Sequence, residues 1–464
     1  MFPCSKGVKQ GDTLSPLLFN LYINDLPDAL ANTPDPPLLN DTLVRILLYA
    51  DDALLLSLSK EGLQSSLDKL SEYCKKWKLE VNLNKTKIMQ FNGNGHKCKD
   101  KFYLDNVLLE NVQSYKYLGV LVCASGSFSL ARHQILSKTK KVLFKLKGCL
   151  RNADMKPSLG LKLFDQLIKP ICTYGSEIWC SDIVPKTNKR KEWFIEEIFY
   201  EQPIEHANVS FCKFLLGVNK KSGNMACRSE LGRSPIATSI LCMIAKFYDH
   251  LKSSNHVLIK QALSESTKLY SEKKQSWVSF FKIIEKELNF SISRANKKSL
   301  KNHLKKRYTN YWKSTFYNQY IGKREGKFCT YTSLKNQFMY EPYLDQVKNF
   351  YDRRALTKLR ISNHNLEIEQ GRYKKPPIPR DLRFCQFCNG NHNEKVIGDE
   401  IHFLLKCPKF NKEREDLLNN QLYQSSPNLR NLNDQQLFCY LMNSEGSLCQ
   451  SVARFCNTCL FDGI

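Results

Sequence analysis

ILLYADDALLLSL, residues 46–58, sets two adjacent aspartates in the middle of an apolar run. Ionised carboxylates are costly to bury unless a cation or a hydrogen-bond network holds them. The flanking runs VRILLY and ALLLSL are each the length of a short strand, so the stretch reads as strand, tight turn, strand, with Asp51 and Asp52 at the turn. Such a hairpin can present carboxylates rigidly to divalent ions about 4 Å apart, the arrangement that phosphoryl transfer on two metals requires. Taken alone, the Asp-Asp pair reads equally as a tight turn without a metal.

Working outward, the residues before the hairpin predict a helix. Ser15 and Pro16 suit an N-cap and first helical position, and Leu17, Leu18, Leu21, Tyr22 and Leu26 follow at helical spacing. After the hairpin, Leu63, Leu67, Leu70, Tyr73, Cys74 and Trp77 mark one face of an amphipathic helix, and LEVNLNKTKIMQF alternates as a strand does. A strand pair is predicted around SYKYLGVLV, followed by lysine-rich helices. Residues 190–345 read as mostly helical, without an internal repeat. RYKKPPIPRD, residues 372–381, reads as an extended linker. A cysteine and histidine segment and terminal helical sequence follow.

The chain has 464 residues, room for about three domains of ordinary size. Lysine and arginine total 70 against 45 acidic residues, a net charge of +25, which points to a polyanionic partner, nucleic acid first. Eighteen cysteines are scattered without the density of a small secreted scaffold, so reduced thiols and an intracellular protein are expected. No apolar stretch reaches the roughly 20 residues of a membrane span, and no membrane partner is expected.

Four ordered motifs give a resemblance. GVKQGDTLSPLLF (7–19), YADD (49–52), NLNKTKIMQF (82–91) and YKYLGV (115–120) resemble, in order, the template-facing, catalytic, lysine and primer-grip motifs of non-LTR (LINE-type) retrotransposon reverse transcriptases. The resemblance implies that Asp51 and Asp52 are catalytic and ligate Mg2+, and that Tyr49 packs beneath the primer end and incoming nucleotide. It places Gln10 and Gly11 against template and nucleotide, and Lys85 near the departing pyrophosphate as a proton donor, although Lys85 reads equally as a solvated strand-end lysine. The family's further palm aspartate and its fingers have no counterpart here. Asp12, Asp25, Asp28, Asp35 and Asp41 all lie on the wrong side of the first motif. The expectation is a chain that begins inside the palm, carries half a metal site, does not polymerise alone and leaves an aggregation-prone strand edge.

LIKPICTYGSEIW (167–179) and FCKFLLGVNKKSGNMACRSELGRSPI (211–236) look like the family's thumb-side sequence, with Trp179 and Phe211 as buried anchors. In 293–320, lysines interleave with Tyr308, Tyr311, Trp312 and Tyr317. These form either a nucleic-acid track or the buried face of a helix.

Cys385, Cys388, His402 and Cys407 form C-x2-C-x13-H-x4-C. Two thiolates two residues apart clasp one edge of a metal, and an imidazole and thiolate one helical turn apart close a tetrahedron, so structural Zn2+ without an open position is predicted. The alternative is four residues that fall in line by chance. The set also resembles the C-terminal zinc segment of these reverse transcriptases, where it would help grip element RNA or target DNA. His392 is a rival ligand at poorer spacing. Cys456 and Cys459 form a second CxxC with no matching pair, and are assigned to a terminal helix.

The fold class expected is α+β: a truncated palm (1–92), a thumb-like region (93–180), a basic helical region (181–371), a linker and zinc segment (372–412) and C-terminal helices (413–464). The function implied is RNA-directed DNA polymerisation on an RNA template and a DNA primer, in the nucleus. The alternative is a non-catalytic RNA- or DNA-binding protein that uses the basic helices and the zinc module. No ribonuclease H or endonuclease signature is found.

Overall fold

The computed structural model describes the chain except residues 1–6, 8–10, 93–98, 152–154, 184–193, 201, 293–296, 324, 392–394, 419–426 and 462–464. Two compact units emerge: residues 1–134, 177–186 and 244–293 form the first, and residues 135–176, 187–243 and 294–464 the second.

The first unit mixes strands and helices. Its opening helix, Ser15–Tyr22, has Pro16 in its first turn as the sequence predicts, but Leu14 rather than Ser15 stands at the N-cap, and Ser15 is buried instead of capping. Leu14, Leu17, Leu18 and Leu21 all face outward, more than half exposed. β1 (Leu38–Leu39) and β2 (Thr42–Leu43) form a small hairpin. β3 (Ile46–Tyr49) and β4 (Asp52–Leu55) form the next, with Tyr49 opposite Asp52 and Leu48 opposite Ala53.

The predicted amphipathic helix spans Lys60–Lys76. Ser59 caps it, accepting from the Gly62 amide at 3.0 Å. Gly62 has to be glycine for lack of space: a Cβ there would stand 2.5 Å from the Pro34 carbonyl oxygen. Leu70, Tyr73 and Cys74 bury against Leu26 and Leu30, with Ile46, Leu48 and Leu55 of the hairpin packed alongside. Leu67 turns to a second cluster with Ile88, Phe102, Leu104 and Leu109. Each fully buried leucine contributes about 1.5–3 kcal/mol, so this helix is what fixes the hairpin in place.

LEVNLNKTKIMQF does not form the long strand its alternation predicts. Only β5 (Lys87–Ile88) is extended, and it pairs in parallel with β8 (Glu110–Asn111) beyond the β6–β7 hairpin (Tyr103–Leu104, Val107–Leu108). Asn82 breaks the pattern: its carbonyl accepts from the Thr86 amide at 3.0 Å and its side chain from the Lys85 amide at 3.3 Å, a local turn that competes with a ladder. β9 (Ser114–Tyr117) and β10 (Val120–Cys123) form the predicted strand pair, turning through Leu118 and Gly119, both at positive φ. The unit also takes in the Val257–Ser271 and Trp277–Glu287 helices, the latter opened by a Ser276–Ser279 capping box.

The second unit is helical, with its core built from distant stretches: Cys212, Leu216, Trp312, Phe316, Tyr331, Leu356, Phe403, Phe438 and Cys456 share one cluster. Trp179 and Phe211 are buried in their respective units as the sequence predicts. The open question over residues 293–320 resolves toward packing, since Tyr308, Tyr311 and Trp312 are buried and Tyr317 is half-buried. Cys456 and Cys459 lie buried in the Gly446–Phe461 helix. Two sets of buried charges are paired: Glu205 meets Arg228 and also accepts from the Ile236 amide at 2.8 Å, and Arg360 lies between Glu230 and Glu341. Among the described residues no helix is long and apolar enough to cross a membrane.

Candidate functional site

The β3–β4 turn is two residues long. Ala50 takes φ +51 and Asp51 completes the turn, so Asp52 is already the first residue of β4. Asp51 and Asp52 are both exposed and stand on a hairpin whose apolar flanks are packed on the Lys60–Lys76 helix. Tyr49, at the end of β3, is 64% exposed. Among the described residues no third acidic, histidine or cysteine side chain joins these two carboxylates at metal-binding distance.

Two neighbours were not assigned roles from the sequence. The Tyr115 hydroxyl donates to the Lys85 carbonyl at 3.1 Å, tying the turn that carries exposed Lys85 to β9. Burial, and then the charge of Asp52, push the pKa of Tyr117 up, which places that phenol in the field of the β3–β4 hairpin. The signal was present in YKYLGV: residues i and i+2 of a strand share a face, so both tyrosines were bound to project together. Gly11 sits at φ +87 with open space where a Cβ would be, a backbone that a ligand can approach closely. Gln10 lies outside the described residues.

The second site lies in the other unit. The four predicted ligands, Cys385, Cys388, His402 and Cys407, come together buried, with all ligand atoms within 4.8 Å of one another. Cys385 Sγ is 3.9 Å from Cys407 Sγ, and Cys388 Sγ is 3.4 Å from His402 Nε2. A tetrahedral ion bound at ordinary zinc distances requires roughly 3.8 and 3.5 Å for those two edges. His392 falls outside the described residues.

The scaffold explains how the ligands converge. Cys385 follows a short bridge between Phe384 and Ile397, and its amide donates to the Val396 carbonyl at 2.8 Å. Cys388 lies one turn on, in the Gln386–Asn391 helix. His402 opens a π-helical turn, His402–Lys406, and the Cys407 amide closes back on the His402 carbonyl at 2.8 Å. Arg414 then clamps this turn, donating to the carbonyls of Leu404 (3.0 Å) and Cys407 (2.7 Å), a support that nothing in the local sequence marked. The hydrogen bond from the Cys407 thiol pushes Cys385 down toward its thiolate, the form that ligates a metal. His402 Nδ1 is buried without a hydrogen-bond partner, leaving Nε2 as the ring nitrogen directed into the cluster. Three thiols and one imidazole make a set able to hold a metal ion.

Residues 1–122, which contain the β3–β4 hairpin, match the family model for reverse transcriptase (RNA-dependent DNA polymerase). The chain carries a reverse transcriptase domain. Its relatives are proteins of non-LTR retrotransposons. It is 29% identical over 187 residues to the RNA-directed DNA polymerase from mobile element jockey of Drosophila melanogaster, covering 38% of this chain and 20% of that protein. It is 30% identical over 178 residues to the Pol polyprotein from type-1 retrotransposable element R2 of Popillia japonica, covering 37% and 24%. It is 24% identical over 254 residues to the probable RNA-directed DNA polymerase from transposon X-element of Drosophila melanogaster, covering 50% and 26%. The chain thus spans about a quarter of the length of these relatives.

Proposed function

We propose that this chain acts in RNA-directed DNA polymerisation, adding deoxynucleotides to a DNA primer on an RNA template. The observation that carries this reading is the pair Asp51 and Asp52, two adjacent exposed carboxylates on a hairpin fixed by its apolar flanks within a reverse transcriptase domain.

Hard oxygen donors at an exposed turn suit Mg2+, which binds through one or two carboxylates and completes its shell with waters and substrate phosphates. Mg2+ held by Asp51 and Asp52 would supply Lewis-acid activation of the primer 3′ hydroxyl and charge stabilisation for the leaving pyrophosphate. The protein's part is placement. Asp51 and Asp52 hold the ions, and Tyr49, exposed beside them, supports the primer end and incoming nucleotide. Contact with the template is the role the resemblance gives Gln10 and Gly11, and Lys85 supplies a proton to the departing pyrophosphate. In the second unit, Cys385, Cys388, His402 and Cys407 hold a structural Zn2+ whose four positions are all filled by protein, supporting a basic surface that grips RNA or target DNA in the nucleus.

Primer extension by the purified chain tests the reading. Magnesium-dependent extension is expected when the chain is supplied with a segment carrying the family's further palm aspartate and not from the chain alone, and Asp51→Asn, an exposed change, lowers it on the order of 10³-fold. A chain that extends no primer even with that segment supplied, yet binds RNA or DNA with strong salt dependence, equally well as Asp51→Asn, instead supports the non-catalytic binding role.

A further inference from the structure

The stretch 371–383, between the Phe350–Arg360 helix and the metal cluster, reads in sequence as a linker, yet it is a closed loop. The Ile378 amide donates to the Gly371 carbonyl at 2.9 Å, and Arg383 donates from Nε to the Ile378 carbonyl (2.9 Å) and from a terminal nitrogen to the Ile368 carbonyl (2.8 Å). Gly371 lies flush on Arg383, where a Cβ would come within 2.7 Å of its side chain. Pro376, Pro377 and Pro379 restrict the backbone further.

At the loop's tip Tyr373 is 68% exposed. Lys327 Nζ donates to its hydroxyl at 2.8 Å and lies 5.3 Å from its ring centroid. Those two distances together put the ammonium beyond the hydroxyl, close to the ring plane, so the lysine steadies the ring by its edge and does not cover its faces. The buried Glu369 carboxylate is already engaged by Arg372 (2.6 Å) and Lys327 (3.6 Å), and Asp399 faces Arg380 at 3.8 Å. Lys374 and Lys375, next to the ring, are exposed and carry no ion pair among the described residues; Asp381 is the one exposed acid on the loop.

We propose that this loop is a contact for single-stranded nucleic acid, with a base stacked on the face of Tyr373 and neighbouring phosphates held by Lys374 and Lys375. An aromatic face flanked by cations is the pairing that unpaired strands require, because stacking needs a free base and the charges need phosphates. A loop that is ordered beforehand loses little conformational freedom on binding. The proposal rests on the nucleic-acid-binding part of the proposed function and is independent of the polymerase site.

The test is fluorescence anisotropy of the full chain with labelled oligouridine and oligodeoxythymidine over a series of salt concentrations, beside a duplex of mixed sequence. Tyr373→Ala is expected to weaken single-strand binding roughly tenfold while Tyr373→Phe retains it, and duplex binding is unchanged in both. Lys374→Ala with Lys375→Ala is expected to reduce the slope of log K against log salt by about 1.4, from two phosphates at about 0.7 each. Single-strand affinity unmoved by Tyr373→Ala, an unchanged salt slope in the double lysine variant, or polyglutamate competing as well as oligouridine would each overturn this loop's role and leave the general binding reading intact. No measurable binding by the unaltered chain would sink both.

Discussion

Arg360 Nε lies 3.1 Å from Glu230 Oε2, and neither side chain has any surface open to solvent. Arg360 also reaches Glu341 Oε2 at 2.8 Å and Asn443 Oδ1 at 2.9 Å, while the Tyr343 hydroxyl donates to Glu230 at 2.6 Å. One guanidinium therefore joins four separate stretches of the second unit.

Burial works to raise the pKa of Glu230, but Arg360, Lys335 and Tyr343 outweigh it and hold the carboxyl below its ordinary value. Glu230→Gln is expected to cost about 3 kcal/mol in urea unfolding at neutral pH. Because the folded-state pKa is depressed, this contribution is full above the ordinary glutamate pKa of about 4.3 and fades as pH falls through the folded value. The gap in stability between the two proteins should therefore narrow in acid. A gap that stays constant with pH would remove Glu230 ionisation from the account.

The cysteine and histidine cluster should bind close to one zinc per chain, measured by elemental analysis of protein purified without added metal. Cys385, Cys388 and Cys407 share a core cluster with Phe403, Phe438 and Val452. Metal removal by a chelator should therefore lower the melting temperature of the whole second unit, not of the cluster alone. Affinity should also weaken as pH falls, since thiolates must shed protons to bind. Cys385→Ser retaining full zinc content would exclude Cys385 from the site.

Trp312 is wholly buried, and its ring nitrogen has no hydrogen-bond partner. Trp312→Ala should cost about 3–5 kcal/mol, whereas Trp312→Phe should cost clearly less, because the unpartnered N–H is removed along with part of the ring. Oligonucleotide affinity of the folded Trp312→Phe protein should match the wild type. An affinity loss with unchanged stability would return this helix to the nucleic-acid surface.

Leu118 and Gly119 turn the β9–β10 hairpin at φ +46 and +84. Gly119→Ala places a second side chain in the left-handed region and should cost about 1 kcal/mol by thermal unfolding. Melting unchanged in this variant would mean the turn adopts another conformation in solution.

Much of the site was legible because its signals are local. The β3–β4 hairpin follows from two apolar runs across an Asp-Asp turn, and the convergence of Cys385, Cys388, His402 and Cys407 follows from a spacing suited to a metal. What stayed hidden depends on partners far along the chain. Helical spacing marks a stripe on 308–316 without saying whether solvent or protein covers it, and only the fold places Trp312 against Phe316 and Phe338. Glu205, Arg228, Glu230 and Arg360 would each be read as surface charges until their counter-ions, 23 to 130 residues away, arrive. Asn82 misled in the other direction, because a strand-like alternation gave way to a side-chain turn.

The pairing of Glu230 with a guanidinium 130 residues later also bears on how the protein is made. At ribosomal speeds of about 5–20 residues per second, the carboxylate leaves the ribosome roughly 6–26 s before Arg360 does. During that interval the early helices of the second unit have no counter-ion to bury the charge against, so they stay open to solvent and to chaperones. The Glu230–Arg360 pair therefore cannot close before the 350s are translated, and slow codons placed between the two positions would lengthen the interval in which the carboxylate lacks its partner.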